Sequence, residues 1–141
     1  MATTEIPTVL LNSGNPIPQL GFGVFKVDED ETERVVTDAI EAGYRHFDGA
    51  KIYANEAALG RAIAASGIPR EQFFVTTKLW GDDQGAASTG PALEASLERL
   101  GMDFVDLYLI HWPHPGLDRY VESWNAMEDL AERGLTRSIG V

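Results

Sequence analysis

Short apolar segments typical of strands alternate with amphipathic helical segments along this chain, and the alternation recurs at a nearly constant interval. We predict strands that begin at residues 21, 44, 73, 105 and 136, so successive starts are 23, 29, 32 and 31 residues apart. Strands separated by helices at this spacing are joined by right-handed crossovers into a parallel sheet. Two α/β architectures accept such units, namely a doubly wound open sheet and a β/α barrel.

The length of the units favours the barrel. Four units between residues 21 and 136 span 115 residues, so eight units would need about 230, close to the roughly 250 residues of a typical β/α barrel. The 141 residues of this chain cannot close such a barrel. We therefore predict that they form its first half, with an N-terminal hairpin, four β/α units and the start of a fifth strand.

Residues with known positional preferences mark the boundaries of the elements. The hairpin is predicted to have strands at 9–11 and 16–20. Acidic residues at 28–31 are typical of a helix start. Asn55 is the predicted N-cap of the second helix, and Pro91 is the predicted first residue of the third. A loose loop is expected at 81–90 and a fourth helix at about 120–133.

Charge and composition restrict the classes of partner. The chain has 11 Lys and Arg against 22 Asp and Glu, which gives a formal net charge of −11. Nucleic acids and anionic membranes bind clustered Lys and Arg, so neither is expected as a partner. The absence of cysteine excludes disulfides and thiolate chemistry. The N-terminus lacks a basic region followed by an apolar run, and no run of eighteen apolar residues occurs, so we expect a cytoplasmic protein.

Four polar residues stand at or just after the ends of predicted strands. Asp48 ends the second strand, Lys78 lies near the end of the third and His111 follows the fourth. Tyr53 comes five residues after Asp48. Each residue alone has an ordinary structural explanation, as a turn residue, a half-buried aromatic or a satisfied polar group. Because the carboxyl ends of barrel strands meet at one rim, we predict that the four side chains converge on one site.

Several separated motifs resemble one known family. Residues 43–50, Gly-Tyr-Arg-His-Phe-Asp-Gly-Ala, together with the Tyr, Asn-Glu and Leu-Gly found within 53–60, resemble the first signature of the aldo-keto reductases. Further motifs in the expected order are Leu-Gly-Phe-Gly-Val-Phe at 20–25, Thr-Thr-Lys-Leu-Trp at 76–80, Asp-Leu-Tyr-Leu-Ile-His-Trp-Pro at 106–113 and Arg-Ser-Ile-Gly-Val at 137–141. The resemblance covers essentially the whole chain and is strongest to the bacterial branch that includes the 2,5-diketo-gluconate reductases. It implies that residues 1–141 are the N-terminal half of a (β/α)8, or TIM, barrel domain of the aldo-keto reductase type.

The resemblance also implies an oxidoreductase that transfers hydride from NADPH to an aldehyde or ketone carbonyl. A carbonyl that accepts hydride develops negative charge on its oxygen, so it needs a proton donor and a hydrogen-bonding neighbour. Tyr53 would be the general acid, and the ammonium group of Lys78 would favour release of its proton. Asp48 would hold Lys78 in place and keep it charged, while neutral His111 would hydrogen-bond the carbonyl oxygen. This chemistry requires no metal.

Cofactor and substrate contacts follow from the same resemblance. The residues implied for the nicotinamide end of NADPH are Gly21, Phe22, Gly23, Val24, Phe25 and Asp48. The residues implied for the substrate are Phe25, Trp80, His111 and Trp112, although large aromatics also fill a barrel mouth by simple packing. The glycines at 21 and 23 do not form a dinucleotide fingerprint, because residue 26 is a lysine. His46 and His114 are expected to be structural or exposed to solvent.

Two alternatives remain open from the sequence. The family continues past the position of Val141 into a second half that supplies most groups around the adenosine 2′-phosphate. A half-barrel without those groups would be inactive by itself, and its open edge strands near 20–25 and 136–141 would favour self-association. The other alternative is a doubly wound sheet that binds a nucleotide, which does not explain why four polar residues fall at the ends of strands.

Overall fold

A parallel five-stranded sheet forms the centre of the molecule, and a separate two-stranded hairpin precedes it. The computed structural model describes residues 5–141. The hairpin consists of β1 (Thr8–Leu10) and β2 (Pro16–Pro18). The remaining elements are β3 (Phe22–Gly23), α1 (Glu29–Glu41), β4 (His46–Asp48), α2 (Glu56–Ala65), β5 (Phe74–Leu79), α3 (Thr89–Leu100), β6 (Val105–Ile110), α4 (Tyr120–Glu132) and β7 (Thr136–Gly140). Within residues 5–141, no helix is both long enough and apolar enough to cross a membrane.

The order of the strands distinguishes between the two α/β architectures. The sheet runs β3-β4-β5-β6-β7, so each strand lies beside its predecessor in the chain, and every pair is parallel. A doubly wound sheet reverses its strand order at a switch point and places helices on both faces. Consecutive order is the arrangement of a β/α barrel, so the doubly wound alternative is wrong.

Helices cover one face of the sheet and bury its apolar side chains. The shared core contains Val36, Leu59, Leu93 and Met127 from the helices and Phe47, Val75, Leu79 and Tyr108 from the strands. Side chains alternate between the two faces of a strand. In β4 and β5 the residues that alternate with this core are His46, Asp48, Phe74, Thr76 and Lys78. The face that the helices leave uncovered therefore carries the polar groups of these two strands together with Phe74.

The hairpin packs across that uncovered face, away from the carboxyl ends of the strands. The Ser13 hydroxyl lies 2.6 Å from the hydroxyl of Ser138 in β7. The Asn15 side-chain amide donates to the carbonyl of Arg137 at 2.9 Å. The Pro18 carbonyl lies 3.3 Å from Nδ1 of His46, which confirms the structural place expected for that histidine. These contacts leave the carboxyl rim open.

Two local predictions around the third helix need correction. Helix α3 begins at Thr89, so Pro91 is its third residue and not its first. Proline is tolerated there because the N–H groups of the first turn have no partner within the helix. Residues 81–90 do not form a loose loop, since Gly81–Asp83 make a 3₁₀ turn and the Gln84 side chain is fully buried. The hydrogen bond from the Gln84 side chain to the carbonyl of Trp112, in the loop after β6, holds this segment in place.

Candidate active site

The ammonium group of Lys78 lies at the centre of the polar cluster on the carboxyl rim. Its Nζ donates to Oδ1 of Asp48 at 2.5 Å, to the carbonyl of Gly49 at 2.9 Å and to the hydroxyl oxygen of Tyr53 at 3.2 Å. An ammonium has three hydrogens to donate, so all three have acceptors. The Lys78 side chain is 11% exposed and that of Asp48 is 38% exposed. This half-buried arrangement holds the cation in one orientation.

The hydrogen bond from Lys78 determines what the Tyr53 hydroxyl can do. Lys78 uses the phenol oxygen as an acceptor, so the hydroxyl hydrogen is left to donate to a different partner. The cation also lies 5.0 Å from the centre of the Tyr53 ring. The Tyr53 hydroxyl therefore lies beside a fixed cation and keeps its hydrogen available for another acceptor.

Local backbone geometry brings Tyr53 to this position. The segment Lys51–Tyr53 is a 3₁₀ turn, and Ala54 ends it in the left-handed region with φ 57°. The Lys51 ammonium forms an ion pair with Asp83, which lies in the 3₁₀ turn after β5. This pair joins the loop after β4 to the loop after β5. The side chain of Tyr53 therefore projects from a turn whose first residue is tied to the neighbouring loop.

His111 lies directly after β6 and faces the same cluster. Its ring meets the ring of Tyr53 edge to face at 5.7 Å and that of Trp80 at 5.3 Å. Burial, together with the Lys78 cation, holds the pKa of His111 below its usual value, although Asp48 acts in the opposite direction. Nδ1 is buried and has no hydrogen-bond partner. An unpartnered buried acceptor is more tolerable than an unpartnered N–H, so we assign the single proton of the neutral ring to Nε2.

The aromatic residues implied for the substrate are placed unequally around the four polar groups. Phe25 packs against Tyr53 with ring centres 5.0 Å apart and remains 62% exposed. Trp80 is partly buried against His111. Trp112 is 65% exposed, and its carbonyl is held by the Gln84 side-chain amide at 2.7 Å. Phe25 and Trp80 line the cluster directly, whereas the indole of Trp112 is free to meet a ligand from outside.

The segment implied for the nicotinamide presents mainly its backbone. The ring of Phe22 packs in the core against Tyr44, with ring centres 5.3 Å apart, and Val24 is fully buried. A Cβ added at Gly21 would lie 2.8 Å from the His46 ring. At Gly23, which pairs with Asp48 in the sheet, an added Cβ would meet no atom within 4 Å. Gly23 is therefore the member of this segment with open space in front of it.

A buried carboxylate supports the site from behind. Glu56, the first residue of α2, is 2% exposed and accepts hydrogen bonds from Thr77 at 2.9 Å, Ser96 at 3.2 Å and the Arg99 guanidinium at 2.8 and 3.0 Å. Thr77 is the neighbour of Lys78 in β5. Glu56 therefore ties the helix that follows Tyr53 to the strand that carries Lys78.

Sequence reasoning missed the side chains that join the rim loops to each other. Lys51 and Asp83 are 32 positions apart, and Gln84 and Trp112 are 28 apart. No local periodicity predicts such pairs, because each depends on where two loops meet in space. Gln84 lies five residues after the end of β5, and its burial cannot be seen in the sequence, so no local signal indicates its contact. Among residues 5–141, no group of three or more His, Asp or Glu could hold a metal ion.

A consecutive parallel sheet with polar side chains gathered at its carboxyl edge is the arrangement of a β/α barrel, a fold class whose enzymes take their catalytic groups from the ends of several strands. Within that class, the chain belongs to the Aldo/keto reductase family, whose profile matches residues 19–141. This confirms the resemblance seen in the motifs. The match includes every residue of the polar cluster.

Curated relatives carry the same family name. The chain is 57% identical over 136 residues to an aldo-keto reductase of Mycolicibacterium smegmatis and 58% identical over 140 residues to one of Mycolicibacterium vanbaalenii. These alignments cover 96% and 99% of this chain but 48% and 50% of the relatives. The chain thus spans about half the length of the curated relatives it matches.

Solved structures show that the fold is shared. An aldo/keto reductase from Brucella melitensis superposes with a TM-score of 0.94 at 54% identity, covering 97% of this chain and 54% of that one. The Bombyx mori aldo-keto reductase in complex with NADP gives 0.89 at 44% identity, covering 97% of this chain and 50% of that one. The predicted fold, part of an aldo-keto reductase barrel, is confirmed.

Proposed function

We propose that residues 1–141 form the N-terminal half of an aldo-keto reductase barrel that reduces a small aldehyde or ketone with NADPH. The observation that carries this proposal is the triple hydrogen bonding of Lys78, which orients the Tyr53 phenol and leaves its hydrogen free to donate. The family match and the NADP bound to the Bombyx mori relative support a nicotinamide cofactor.

The residues present fit one end of such a cofactor. Gly23 has open space in front of it, and its sheet partner Asp48 keeps part of its carboxylate exposed. A flat ring can approach a surface of this kind without meeting a Cβ. Backbone of the segment 21–25, together with Asp48, would hold the nicotinamide end, and the reduced cofactor would supply the hydride.

Within this proposal, each polar residue has a separate task. Tyr53 donates its hydroxyl proton to the carbonyl oxygen as negative charge develops there. Lys78 donates a hydrogen bond to the Tyr53 oxygen as the proton leaves, and Asp48 holds the ammonium in place. His111, neutral and protonated on Nε2, donates a hydrogen bond that orients the carbonyl oxygen. Phe25, Trp80 and Trp112 would contact the apolar part of the substrate.

The test is a fusion of residues 1–141 to the second half of the Mycolicibacterium vanbaalenii relative, assayed by carbonyl-dependent loss of NADPH absorbance. Replacement of Tyr53 by Phe should lower kcat by about 10²- to 10⁴-fold, because only the general acid is removed. Affinity for NADPH, measured by fluorescence titration, should change less than about twofold, since the phenol ring stays in place.

Tyr120→Phe is the matched control, because this tyrosine lies at the start of α4 outside the cluster and should leave turnover unchanged. The native relative serves as the positive control for the assay. If the Tyr53→Phe fusion turned over at the rate of its parent, Tyr53 would not be the acid. A parent fusion that binds NADPH but reduces no aldehyde or ketone would contradict the proposed reaction.

A further inference from the structure

The Asn55 side chain joins two loops of the candidate active site from a buried position. It is 1% exposed, and its Nδ2 donates to the carbonyls of Val24 and Val27, both at 2.9 Å. These carbonyls belong to the loop between β3 and α1, whereas Asn55 follows the turn that carries Tyr53. One amide therefore uses both of its hydrogens to hold a loop that is about thirty residues distant in sequence.

The loop that Asn55 holds is not favoured by its own sequence. The N–H of Val27 donates to the carbonyl of Val24 at 3.2 Å, which closes a four-residue turn. Lys26 is the third residue of that turn and has φ 59°. This left-handed conformation suits glycine or asparagine far better than lysine. The turn thus depends on contacts from outside, and both of its terminal carbonyls receive them from Asn55.

The conformation of this turn places the Phe25 ring next to Tyr53, the proposed proton donor. Phe25, the second residue of the turn, has its ring 5.0 Å from that of Tyr53 although it is 62% exposed. We propose that Asn55 is a positioning residue that clamps the β3–α1 turn and thereby fixes the Phe25 ring against Tyr53, where it would line the side of the substrate site. Its effect on substrates rests on the proposed function, whereas the clamp itself does not.

The usual explanation of an asparagine before a helix is capping, and the contacts here differ from it. A capping Asn accepts a hydrogen bond from the helix through Oδ1. In Asn55 no cap hydrogen bond forms, and Oδ1 is the atom left buried without a partner. The Nδ2 atom makes all the side-chain contacts. Ser and Asp are good N-caps but lack the two hydrogens of the amide. Replacing Asn55 by either residue therefore preserves capping and removes the clamp, which distinguishes the two roles.

The first test needs no substitution and no enzyme activity. In the 141-residue chain, the Asn55 side-chain NH₂ hydrogens should exchange with solvent at least about tenfold more slowly than those of Asn125, which is exposed on α4. Nitrogen-15 NMR resolves both groups. Equal exchange rates would overturn the clamp.

The second test uses Asn55→Ser and Asn55→Asp with Asn125→Ser as control, in chains carrying 4-fluorophenylalanine at position 25. Both Asn55 variants should move the fluorine resonance towards that of an unfolded peptide and narrow it, while circular dichroism shows unchanged helix content. The control should leave the resonance in place. If the resonance stayed unchanged in folded Asn55→Ser, the clamp would be wrong. If the variants failed to fold, the exchange rates above would decide.

The kinetic test uses the fusion described under the proposed function. Asn55→Ser should raise KM for a bulky aromatic aldehyde about tenfold and change kcat less than about threefold, because Lys78 and Asp48 still orient Tyr53. Equal losses in kcat and KM across small and bulky substrates would contradict a role in substrate fit. If the parent fusion were inactive, the proposed function would fail, whereas exchange and fluorine data would still decide the clamp.

Discussion

Lys78 shows how a single half-buried charge can organise a site. Its ammonium has three acceptors, and removing any one would leave a donor unsatisfied in a poorly solvated place. A buried ion pair contributes little net stability once desolvation is counted. The pair with Asp48 is therefore better explained by orientation than by stability, because it directs the third N–H at the Tyr53 oxygen.

The effect of the Lys78 charge should be measurable as a change in the pKa of His111. Burial is the first cause that lowers the pKa of His111, and Lys78 is the second, while Asp48 raises it. We expect the imidazole resonance of His111 to titrate below 6.5 in the 141-residue chain. In Lys78→Met the midpoint should rise, because the lowering cation is gone and the carboxylate remains. NMR titration of the ring C–H signals measures both values.

Lys51→Met is the matched control, since Lys51 pairs with Asp83 and is not among the groups that shift His111. An unchanged His111 midpoint in Lys78→Met would contradict the electrostatic contact.

The folded-state pKa of His46 is also lowered, chiefly by burial. The unfolded chain therefore binds more protons just below pH 6.5, so the free energy of unfolding should decrease as the pH falls through that interval.

At the level of elements, the rim loops are joined to each other as well as to their own strands. Asn55 joins the loop after β3 to the turn after β4. The ion pair of Lys51 with Asp83 joins the turn after β4 to the turn after β5. Gln84 then holds the carbonyl of Trp112 after β6. The loops that carry Tyr53 and His111 are thus each held by a neighbouring loop.

Helices α2 and α3 approach each other so closely at Gly60 that only glycine fits. A Cβ at this position would lie 2.1 Å from the carbonyl oxygen of Leu100 and 2.7 Å from its carbonyl carbon. Backbone atoms cannot move aside as a flexible side chain can. We expect Gly60→Ala to lower the free energy of unfolding by about 3 kcal/mol, measured by urea denaturation.

Gly116→Ala is the control for that measurement, because an added Cβ meets nothing within 4 Å at this position of the β6–α4 loop. Its free energy of unfolding should stay within about 0.5 kcal/mol of the parent chain. If Gly60→Ala were as stable as Gly116→Ala, the helices would have to separate at no cost. That result would contradict the close approach.

For the whole molecule, the sheet has two strands with a single neighbour each. Within residues 5–141, β3 pairs only with β4, and β7 pairs only with β6. Edge strands of a parallel sheet expose N–H and C=O groups that readily pair with another chain. Both β3 and β7 therefore present such unpaired groups along one side.

We expect the 141-residue chain to self-associate when purified alone and to oxidise little NADPH. Sedimentation velocity should show species heavier than the monomer, with a share that grows with concentration. The fusion to the second half of the Mycolicibacterium vanbaalenii relative should sediment as a monomer, because the edges then have partners. A purely monomeric 141-residue chain with robust reductase activity would contradict this prediction.

Much of the architecture follows from local pattern. The spacing of the strands and the apolar faces of the helices depend on residues a few positions apart, so the sequence predicts them within a few residues. The positions of Asp48, Lys78 and His111 at the ends of strands also follow, since parallel strands place their carboxyl ends at one edge. Tyr53 does not end a strand, and its place in the predicted site follows only from its closeness to Asp48 in the sequence.

Tertiary structure confirmed the consecutive strand order that the barrel prediction implies, and it alone decided the contacts of Asn55 and the ties between the rim loops. Strand order depends on which faces pack together, and both architectures use the same local units. Asn55 has the sequence signature of a helix cap, yet its amide donates to Val24 and Val27 because the folded sheet brings those carbonyls within reach. Local periodicity encodes elements, whereas contacts across about thirty residues are set by the packing that brings the elements together.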